Sequence, residues 1–290
     1  MALSLREFTV DADYGRIAGL RGGTAGAPRV LALHGWLDNA ASFVPLAAQL
    51  DGIELVVPDL PGHGASAHLP PGADYSFPFM VHALLDVADA LGWETFALLG
   101  HSMGAGIASM IAAACPRRIG RLVAIEALGA LPETVERTVP RMREAHDATR
   151  ALKHKSLRVF ADIDTAVAAR MRANGLSEPV ARLLVERGLR AVDGGWVWSS
   201  DPRQTLPGTH RPTAAQVDAL IDGIGCPTRV IHADPPQPYL PEPERSRRAR
   251  RLADGALVVL PGSHHLHMED PAAVAAAIGD FLVRPAAATG

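Results

Sequence analysis

Short apolar segments recur along the chain and are bounded by Gly, Pro or Asp. Runs of about five such residues are typical of strands that are buried on both faces of a sheet. The predicted strands cover residues 29–33, 54–57, 95–99, 121–125, 228–232 and 256–260. Two earlier segments, 5–10 and 16–20, have no helix between them, which indicates an antiparallel hairpin at the edge of the sheet.

Between these runs, apolar residues recur at the spacing of a helix that buries one side. The predicted helices cover residues 43–50, 79–91, 103–114, 242–252 and 271–282. Strands that alternate with helices predict the α/β class, with a mostly parallel sheet and helices on both of its faces.

The alternation breaks after the strand that ends near Glu126. Residues 131–213 have helical patterns and polar connections, without a clear buried strand. Ser177-Glu178-Pro179 is a helix start, because Ser caps the first turn and Pro fits into it. We therefore predict an α/β core formed by residues 1–130 and 214–290, and a helical insertion over the edge of the sheet formed by residues 131–213.

Composition narrows the classes of function. Lys and Arg total 28 and Asp and Glu total 31, so the net charge is −3. A chain so close to neutrality has no overall attraction to nucleic acid, and we expect the arginine-rich segment 245–251 to be a solvated helix face. The two cysteines, Cys115 and Cys226, cannot form a disulfide scaffold or a CxxC site.

The sequence also gives no sign of a membrane protein. It has no run of about 18 apolar residues, and its beginning lacks the basic and apolar pattern of a secretory signal. We therefore expect a cytoplasmic protein without membrane or nucleic-acid partners.

The strongest chemical signal is Gly100-His101-Ser102-Met103-Gly104, which has the form G-x-S-x-G between an apolar strand and an Ala-rich helix. A nucleophile on such a sharp turn has a strained backbone, and the flanking glycines let strand and helix approach closely. The turn lifts the Ser102 hydroxyl clear of the sheet. It also places the Met103 amide at a helix N-terminus, where a developing oxyanion is stabilised.

Two further segments carry candidate chemistry. His34-Gly35-Trp36 follows an apolar strand, and the Trp36 amide can supply a second oxyanion donor. The loop between the last strand and the last helix contains His264, His265 and His267, and a base on such a loop can reach the nucleophile. Three close histidines also suit a metal site, but no HExxH or CxxC motif accompanies them, so we expect no metal.

A fourth segment, Asp59-Leu60-Pro61-Gly62-His63-Gly64, also follows a strand. In their order along the chain, the four segments resemble those of the α/β-hydrolase superfamily. The resemblance to the superfamily covers the chain from about Phe8 to Leu282 apart from the insertion, which would form the lid. Within the superfamily the sequence is similar to the serine hydrolase-like group. The segments that carry this narrower match are His34-Gly35-Trp36-Leu37-Asp38-Asn39, Ile125-Glu126 and Trp196-Val197-Trp198 followed by Asp201-Pro202-Arg203.

The resemblance implies Ser102 as the nucleophile and His264 as the base, with His265 and His267 as alternatives. The acid is open between two carboxylates. Most relatives carry it as Gly-x-x-Asp after the strand before the last, where this chain has Asp234 two residues too early. Others carry it after the strand that follows the nucleophile helix, where this chain has Glu126. A carboxylate directly after an apolar strand needs a partner, and we favour Glu126 over Asp234.

The implied activity is cleavage of an ester or related acyl bond. We expect a small-molecule acyl substrate in contact with Trp36, His101, Trp196 and Trp198, and no cofactor. Two alternatives stay open. One is a non-catalytic or weakly catalytic ligand-binding protein on the same scaffold, and the other is a perhydrolase or C–C hydrolase that uses the same residues.

Overall fold

The structure is a computed structural model, and it describes residues 3–283. The strands in this range are β1 (Arg6–Ala12), β2 (Gly15–Gly23), β3 (Arg29–Leu33), β4 (Glu54–Pro58), β5 (Phe96–His101), β6 (Ile119–Ile125), β7 (Leu189–Val192), β8 (Gly195–Trp198), β9 (Thr228–Asp234) and β10 (Gly255–Pro261). All but β7 and β8 form one sheet, in the order β1-β2-β4-β3-β5-β6-β9-β10. The pairs β1–β2 and β2–β4 are antiparallel and the other pairs are parallel, which confirms the predicted fold class and the edge hairpin.

The helices are α1 (Val44–Ala47), α2 (Phe77–Ala90), α3 (Met103–Ala114), α4 (Thr138–Leu152), α5 (Ile163–Asn174), α6 (Glu178–Gly188), α7 (Ala214–Asp222), α8 (Glu244–Ala249), α9 (Leu266–Glu269) and α10 (Pro271–Ile278). The helix predicted over residues 43–50 is instead a 3₁₀ turn at Ala40–Phe43 followed by the short α1. Asn39 caps this turn, because its side chain accepts a hydrogen bond from the Ala41 amide. The last helix is shorter than predicted and ends before Gly279, whose φ is 53°.

Both faces are buried along the central strands β3, β4, β5, β6 and β9, as their continuous apolar runs predict. The edge strand β10 has no buried residue, so the expectation that residues 256–260 are buried on both faces is wrong. Leu31 and Leu33 of β3 belong to a cluster with buried residues of α2, α3 and α7. Val30 and Ala32, which alternate with them, belong to a second cluster with residues of α1 and α10. The central strands therefore lie between two layers of helices, and the loops at their carboxyl ends have a rigid base.

Residues 131–213, which we call the insertion, contain α4, α5 and α6. They also contain an antiparallel hairpin of β7 and β8, although the sequence has no clear buried strand here. The hairpin has only four residues in each strand, and of these only Val197 is buried, so it lacks the apolar run of a core strand. A separate hydrophobic cluster forms around Phe160, Val167 and Leu184. The domain boundaries stay a prediction, and residues 1–2 and 284–290 of the predicted core lie outside the described residues.

The arginine-rich segment is not simply a solvated face, as the sequence analysis expected. Arg245 and Arg248 of α8 are buried, and Arg248 Nη1 donates to the carbonyl oxygens of Leu128 and Ala130 at 3.0 Å each. Buried arginines of this kind satisfy backbone acceptors, which a count of charges along a helix cannot reveal. Among residues 3–283, no helix combines the length and the apolar character that crossing a bilayer requires.

Candidate active site

Ser102 lies on a tight turn between β5 and α3. Its φ is 52° and its ψ is −118°, a backbone conformation that is strained for a residue with a side chain. A Cβ on Gly104 would lie 2.0 Å from the Leu33 carbonyl oxygen, and one on Gly100 would lie 2.4 Å from the Ala105 Cα. Both positions therefore require glycine, for the reason that the G-x-S-x-G motif predicts.

The structure brings His264 and Glu126 together with Ser102. His264 Nε2 lies 2.9 Å from Ser102 Oγ, and His264 Nδ1 lies 3.0 Å from Glu126 Oε2. The three residues follow the ends of β5, β6 and β10, whose carboxyl ends meet at one edge of the sheet. In a neutral ring, this arrangement fits a proton on Nδ1 and a free electron pair on Nε2 that can accept the serine proton.

Glu126 is held in place from several sides. It is 3% exposed, and it directly follows β6 with a φ of 61°. Its Oε1 accepts a hydrogen bond from the Ala233 amide at 2.6 Å and lies 3.4 Å from His232 Nδ1. Burial alone would raise the pKa of Glu126, but hydrogen bonds from His232, His264 and the Ala233 amide outweigh it and lower the pKa to about 2. Glu126 is therefore an anion beside the imidazole at neutral pH.

Asp234, the other candidate acid, lies at the end of β9 and is exposed. Its backbone carbonyl accepts a hydrogen bond from the Gly262 amide, while no hydrogen bond or ion pair joins its carboxylate to His264 among the described residues. The structure therefore brings Glu126, and not Asp234, to the imidazole. The preference for Glu126 on partner grounds agrees with this placement.

The loop after β3, which contains Trp36, is fixed by two neutral histidines. The Leu60 amide donates to His34 Nε2 at 2.9 Å, and the Leu37 amide donates to His63 Nε2 at 3.3 Å. Each ring therefore carries its proton on Nδ1, from which it donates to a loop carbonyl. Trp36 is 53% exposed, and its Nε1 donates to the Gln204 carbonyl oxygen of the insertion at 2.8 Å.

His101 does not lie where the sequence analysis expected it. Its side chain is fully buried, and its Nε2 donates to the His264 carbonyl oxygen at 2.8 Å. This burial excludes the expected contact with substrate and corrects that expectation. His101 instead anchors the main chain of the candidate base from beneath. A histidine beside the nucleophile gives no sequence signal that separates these two roles.

Trp196 and Trp198 lie in β8 and pack against the hydrophobic cluster of the insertion. The Trp198 ring meets the Phe160 ring edge to face, with centroids 5.3 Å apart. Packing of this kind accounts for both side chains, and their contact with a substrate stays a prediction.

Tyr239 is a site residue that the sequence analysis missed. Its hydroxyl lies 3.2 Å from His264 Nδ1 and 3.5 Å from His264 Nε2, and the residue is 49% exposed. Burial and then the charge of Glu126 raise the pKa of Tyr239 to about 12, so the phenol is neutral at physiological pH. Its loop after β9 has no motif, so only the fold could bring it to the imidazole.

Several buried histidines surround the site. Burial is the largest cause that lowers the pKa of His63 and His267 to about 3, from an ordinary value of 6.5. It also lowers the pKa of His34 and of His101. A histidine that is neutral when folded and protonated when unfolded destabilises the fold progressively as the pH falls below its unfolded pKa.

We therefore expect the protein to lose stability in mild acid. His63 and His267 each contribute about 1.4 kcal/mol per pH unit, together roughly 3 kcal/mol per pH unit, well below their unfolded pKa. Glu126 adds its own loss only below its ordinary pKa of 4.5, so the interval from 6.5 to 4.5 reports the histidines. Urea unfolding across this interval measures the slope. An unchanged slope in His267→Phe, which cannot titrate, would contradict the explanation.

Among residues 3–283, no three His, Cys, Asp or Glu side chains are grouped as metal ligands are. The three histidines of the terminal loop have different surroundings. His264 faces Ser102, His265 Nε2 lies 3.5 Å from Asp38 Oδ2, and His267 is fully buried with its ring centroid 4.0 Å from that of His101. Of the three, His264 is the one that reaches the serine.

The sheet order, the serine on its strand-to-helix turn and the imidazole on the loop after the last strand are the arrangement of an α/β hydrolase. A family model described as alpha/beta hydrolase fold matches residues 28–176, and the chain belongs to this family. Within it, the chain is 30% identical over 292 residues to a serine hydrolase-like protein from Danio rerio, covering 97% of this chain and 90% of the relative. The resemblance to the serine hydrolase-like group is thereby confirmed.

Two solved structures are similar to this chain over nearly its whole length. A hypothetical protein from Pseudomonas aeruginosa PAO1 is 39% identical, with a TM-score of 0.91 over 96% of this chain and 99% of that one. A thioesterase domain from the curacin biosynthetic pathway is 28% identical, with a TM-score of 0.83 over 95% of this chain and 99% of that one.

Proposed function

We propose that the protein is a serine hydrolase that cleaves an ester or a related acyl bond through an acyl-enzyme on Ser102. The observation that carries this proposal is the hydrogen-bonded path from Glu126 Oε2 through His264 to Ser102 Oγ, with distances of 3.0 and 2.9 Å. A serine hydroxyl is a poor nucleophile until an imidazole takes its proton, and the imidazole needs a carboxylate to fix its tautomer.

In the first half-reaction, His264 Nε2 takes the proton of Ser102 as Oγ forms a bond to the acyl carbon. The carbonyl electrons move onto oxygen, and the amides of Trp36 and Met103 donate hydrogen bonds to this oxyanion. Met103 begins α3, where amides have no partner within the helix. The intermediate then collapses, the bond to the leaving group breaks, and His264 delivers its proton to the leaving oxygen or sulfur.

In the second half-reaction, water takes the place of Ser102. His264 Nε2 accepts a proton from the water as its oxygen bonds to the acyl carbon. Collapse of the second intermediate breaks the bond to Ser102 Oγ, which regains its proton from His264 as the carboxylic acid is released. Glu126 stays ionised in both halves and stabilises the imidazolium, which its lowered pKa supports.

The similarity to a solved thioesterase domain supports an acyl substrate, and for this reason we count thioesters as well as oxygen esters among the candidate substrates. The half-exposed Trp36 ring beside the proposed oxyanion donor offers an apolar surface to such a substrate.

The direct test is labelling of the wild-type protein with a fluorophosphonate. We expect one phosphonyl group per chain, attached to Ser102 with loss of fluoride, and no labelling of heat-denatured protein. Peptide mapping locates the adduct. Label on another residue, or none on the native protein, would contradict the proposal. Matched oxygen esters and thioesters of graded acyl length would then define the substrate.

The absence of a Gly-x-x-Asp motif favours the ligand-binding alternative, because a triad without an acid would turn over slowly. The position of Glu126 beside His264 weakens this argument, because Glu126 can supply the acid that the motif would otherwise provide. Binding of acyl compounds without cleavage of any of them would favour the ligand-binding alternative. Perhydrolysis and C–C cleavage would use the same residues, and product analysis separates them, since only ester hydrolysis yields an acid and an alcohol from water alone.

A further inference from the structure

Asp38 is a buried carboxylate in the loop after β3, shortly beyond Trp36. It forms an ion pair with Arg170 of α5, which belongs to the insertion. On another side, His265 Nε2 lies 3.5 Å from Asp38 Oδ2. Burial opposes ionisation, but the hydrogen bond from His265 and the charge of Arg170 hold the pKa of Asp38 well below its usual range.

His101 also faces Asp38 but does not neutralise it. Because His101 Nε2 donates to the His264 carbonyl oxygen, a neutral ring presents an unprotonated Nδ1 to Asp38 Oδ2, 3.8 Å away. Burial, followed by the neighbouring histidines, keeps the pKa of His101 far below its ordinary value. The permanent positive charge beside Asp38 therefore comes from Arg170, and the imidazole donor is His265.

The residues after His264 also contact the insertion. His265 follows His264 directly, with the two ring centroids 5.3 Å apart. Met268 of α9 is buried in the hydrophobic cluster of the insertion. Glu269, at the end of α9, accepts hydrogen bonds from the Ser177 amide and hydroxyl at 2.8 Å each. The insertion thus contacts the segment that carries the imidazole at several points.

We propose that Arg170 and Asp38 are positioning residues for His264, so that docking of the insertion through their ion pair fixes the loop that carries the base. The proposal rests on the proposed function of His264. It gives the insertion a part in assembling the catalytic geometry, because the carboxylate that pairs with Arg170 of α5 also lies against His265, the residue next to His264. Removing one partner of a buried ion pair leaves an uncompensated charge, which the surrounding loop must rearrange to accommodate.

Arg187 of α6 offers a matched comparison. It also joins the insertion to a fully buried core carboxylate, Asp59, at distances of 2.8 to 3.1 Å. Asp59 otherwise accepts from the amides of Ala40 and Ala65, which lie outside the loop of His264. Arg187→Met therefore removes a docking ion pair of the same kind, together with the ion pair of Arg187 to the exposed Glu7, without removing the contact that reaches His265.

The first measurement is the rate at which Ser102 reacts with a fluorophosphonate. We expect Arg170→Met to slow this reaction by about 10²-fold, the size of effect that a small displacement of a catalytic group can have. With a chromogenic ester, kcat should fall while KM changes little. Arg170→Lys keeps the charge and should restore most of the rate. Arg187→Met should lower Tm as Arg170→Met does, but should keep the rate within a few-fold of wild type.

The second measurement does not depend on catalysis. The proton on His264 Nδ1, hydrogen-bonded to Glu126, is expected to give a far-downfield proton NMR signal, assigned by its loss in Glu126→Gln. We expect this signal in wild type, Arg170→Lys and Arg187→Met, and its loss or broadening in Arg170→Met. Arg182→Met, which removes ion pairs to Asp164 and Glu178 within the insertion, is the surface control.

A wild-type signal in Arg170→Met would overturn the inference, and so would equal loss of the signal in Arg187→Met, which would indicate general loosening of the insertion. Failure of wild-type protein to react with the fluorophosphonate would instead contradict the proposed function. The NMR comparison would still decide whether Arg170 holds the imidazole.

Discussion

Replacing Ser102 with Ala should reduce kcat for a chromogenic ester by roughly 10⁶-fold and abolish fluorophosphonate labelling. The substitution removes the oxygen that His264 Nε2 contacts at 2.9 Å, so neither acyl transfer nor phosphonylation has a nucleophile. The fold should survive, because the Ser102 side chain caps no amide of α3 and Ala keeps the same backbone requirement at φ 52°. Thermal unfolding should confirm that the loss is chemical.

Ser109→Ala, in the helix that follows Ser102, is the matched control. Ser109 is buried, and its hydroxyl donates to the Ala105 carbonyl oxygen at 2.7 Å and accepts from the Gly129 amide at 3.1 Å. Its loss should cost about 1–3 kcal/mol of stability, because the Gly129 amide loses its acceptor, and should leave labelling intact. Turnover that persists in Ser102→Ala would remove the proposed mechanism.

Replacing Glu126 with Gln should lower kcat by roughly 10⁴-fold, with a much smaller effect on KM. The amide is nearly isosteric, but it carries no charge to stabilise the imidazolium. It also presents an NH₂ group either to His264 Nδ1, at 3.0 Å, or to the Ala233 amide, at 2.6 Å, and both of these are donors. Either the His264 ring would lose the tautomer that accepts the serine proton, or the side chain at position 126 would lose its hydrogen bond from the Ala233 amide.

Asp234→Asn is the corresponding control, because it makes the same carboxylate-to-amide change at the other candidate acid. Asp234 is exposed, so the substitution should change kcat by no more than about twofold. Steady-state kinetics of both variants at one pH, with Tm measured in parallel, decides between the two carboxylates. A large loss in Asp234→Asn together with an active Glu126→Gln would reverse the assignment of the acid.

The sequence was informative wherever a local pattern carries the signal. The apolar strands 29–33 and 54–57 were predicted to within one residue, because strands buried on both faces have continuous apolar runs. The position of Ser102 on its turn could also be predicted, since the crowding around Gly100 and Gly104 forbids larger residues there. The hairpin of β7 and β8 could not, because its side chains are mostly not buried.

The amino-acid sequence by itself determined the α/β class, the nucleophile turn and a short set of candidate bases and acids. Only the tertiary structure showed which of these candidates lie together, because Glu126 and His264 are 138 residues apart and meet through the register of neighbouring strands. Three further contacts join residues that are far apart in the sequence and were likewise visible only in the tertiary structure. They are the hydrogen bond of His101 to the His264 carbonyl oxygen, the contact of Tyr239 with the His264 imidazole and the ion pair of Arg170 with Asp38. Side-chain proximity across a sheet depends on strand order and on which face each residue occupies, and neither is encoded in any single segment.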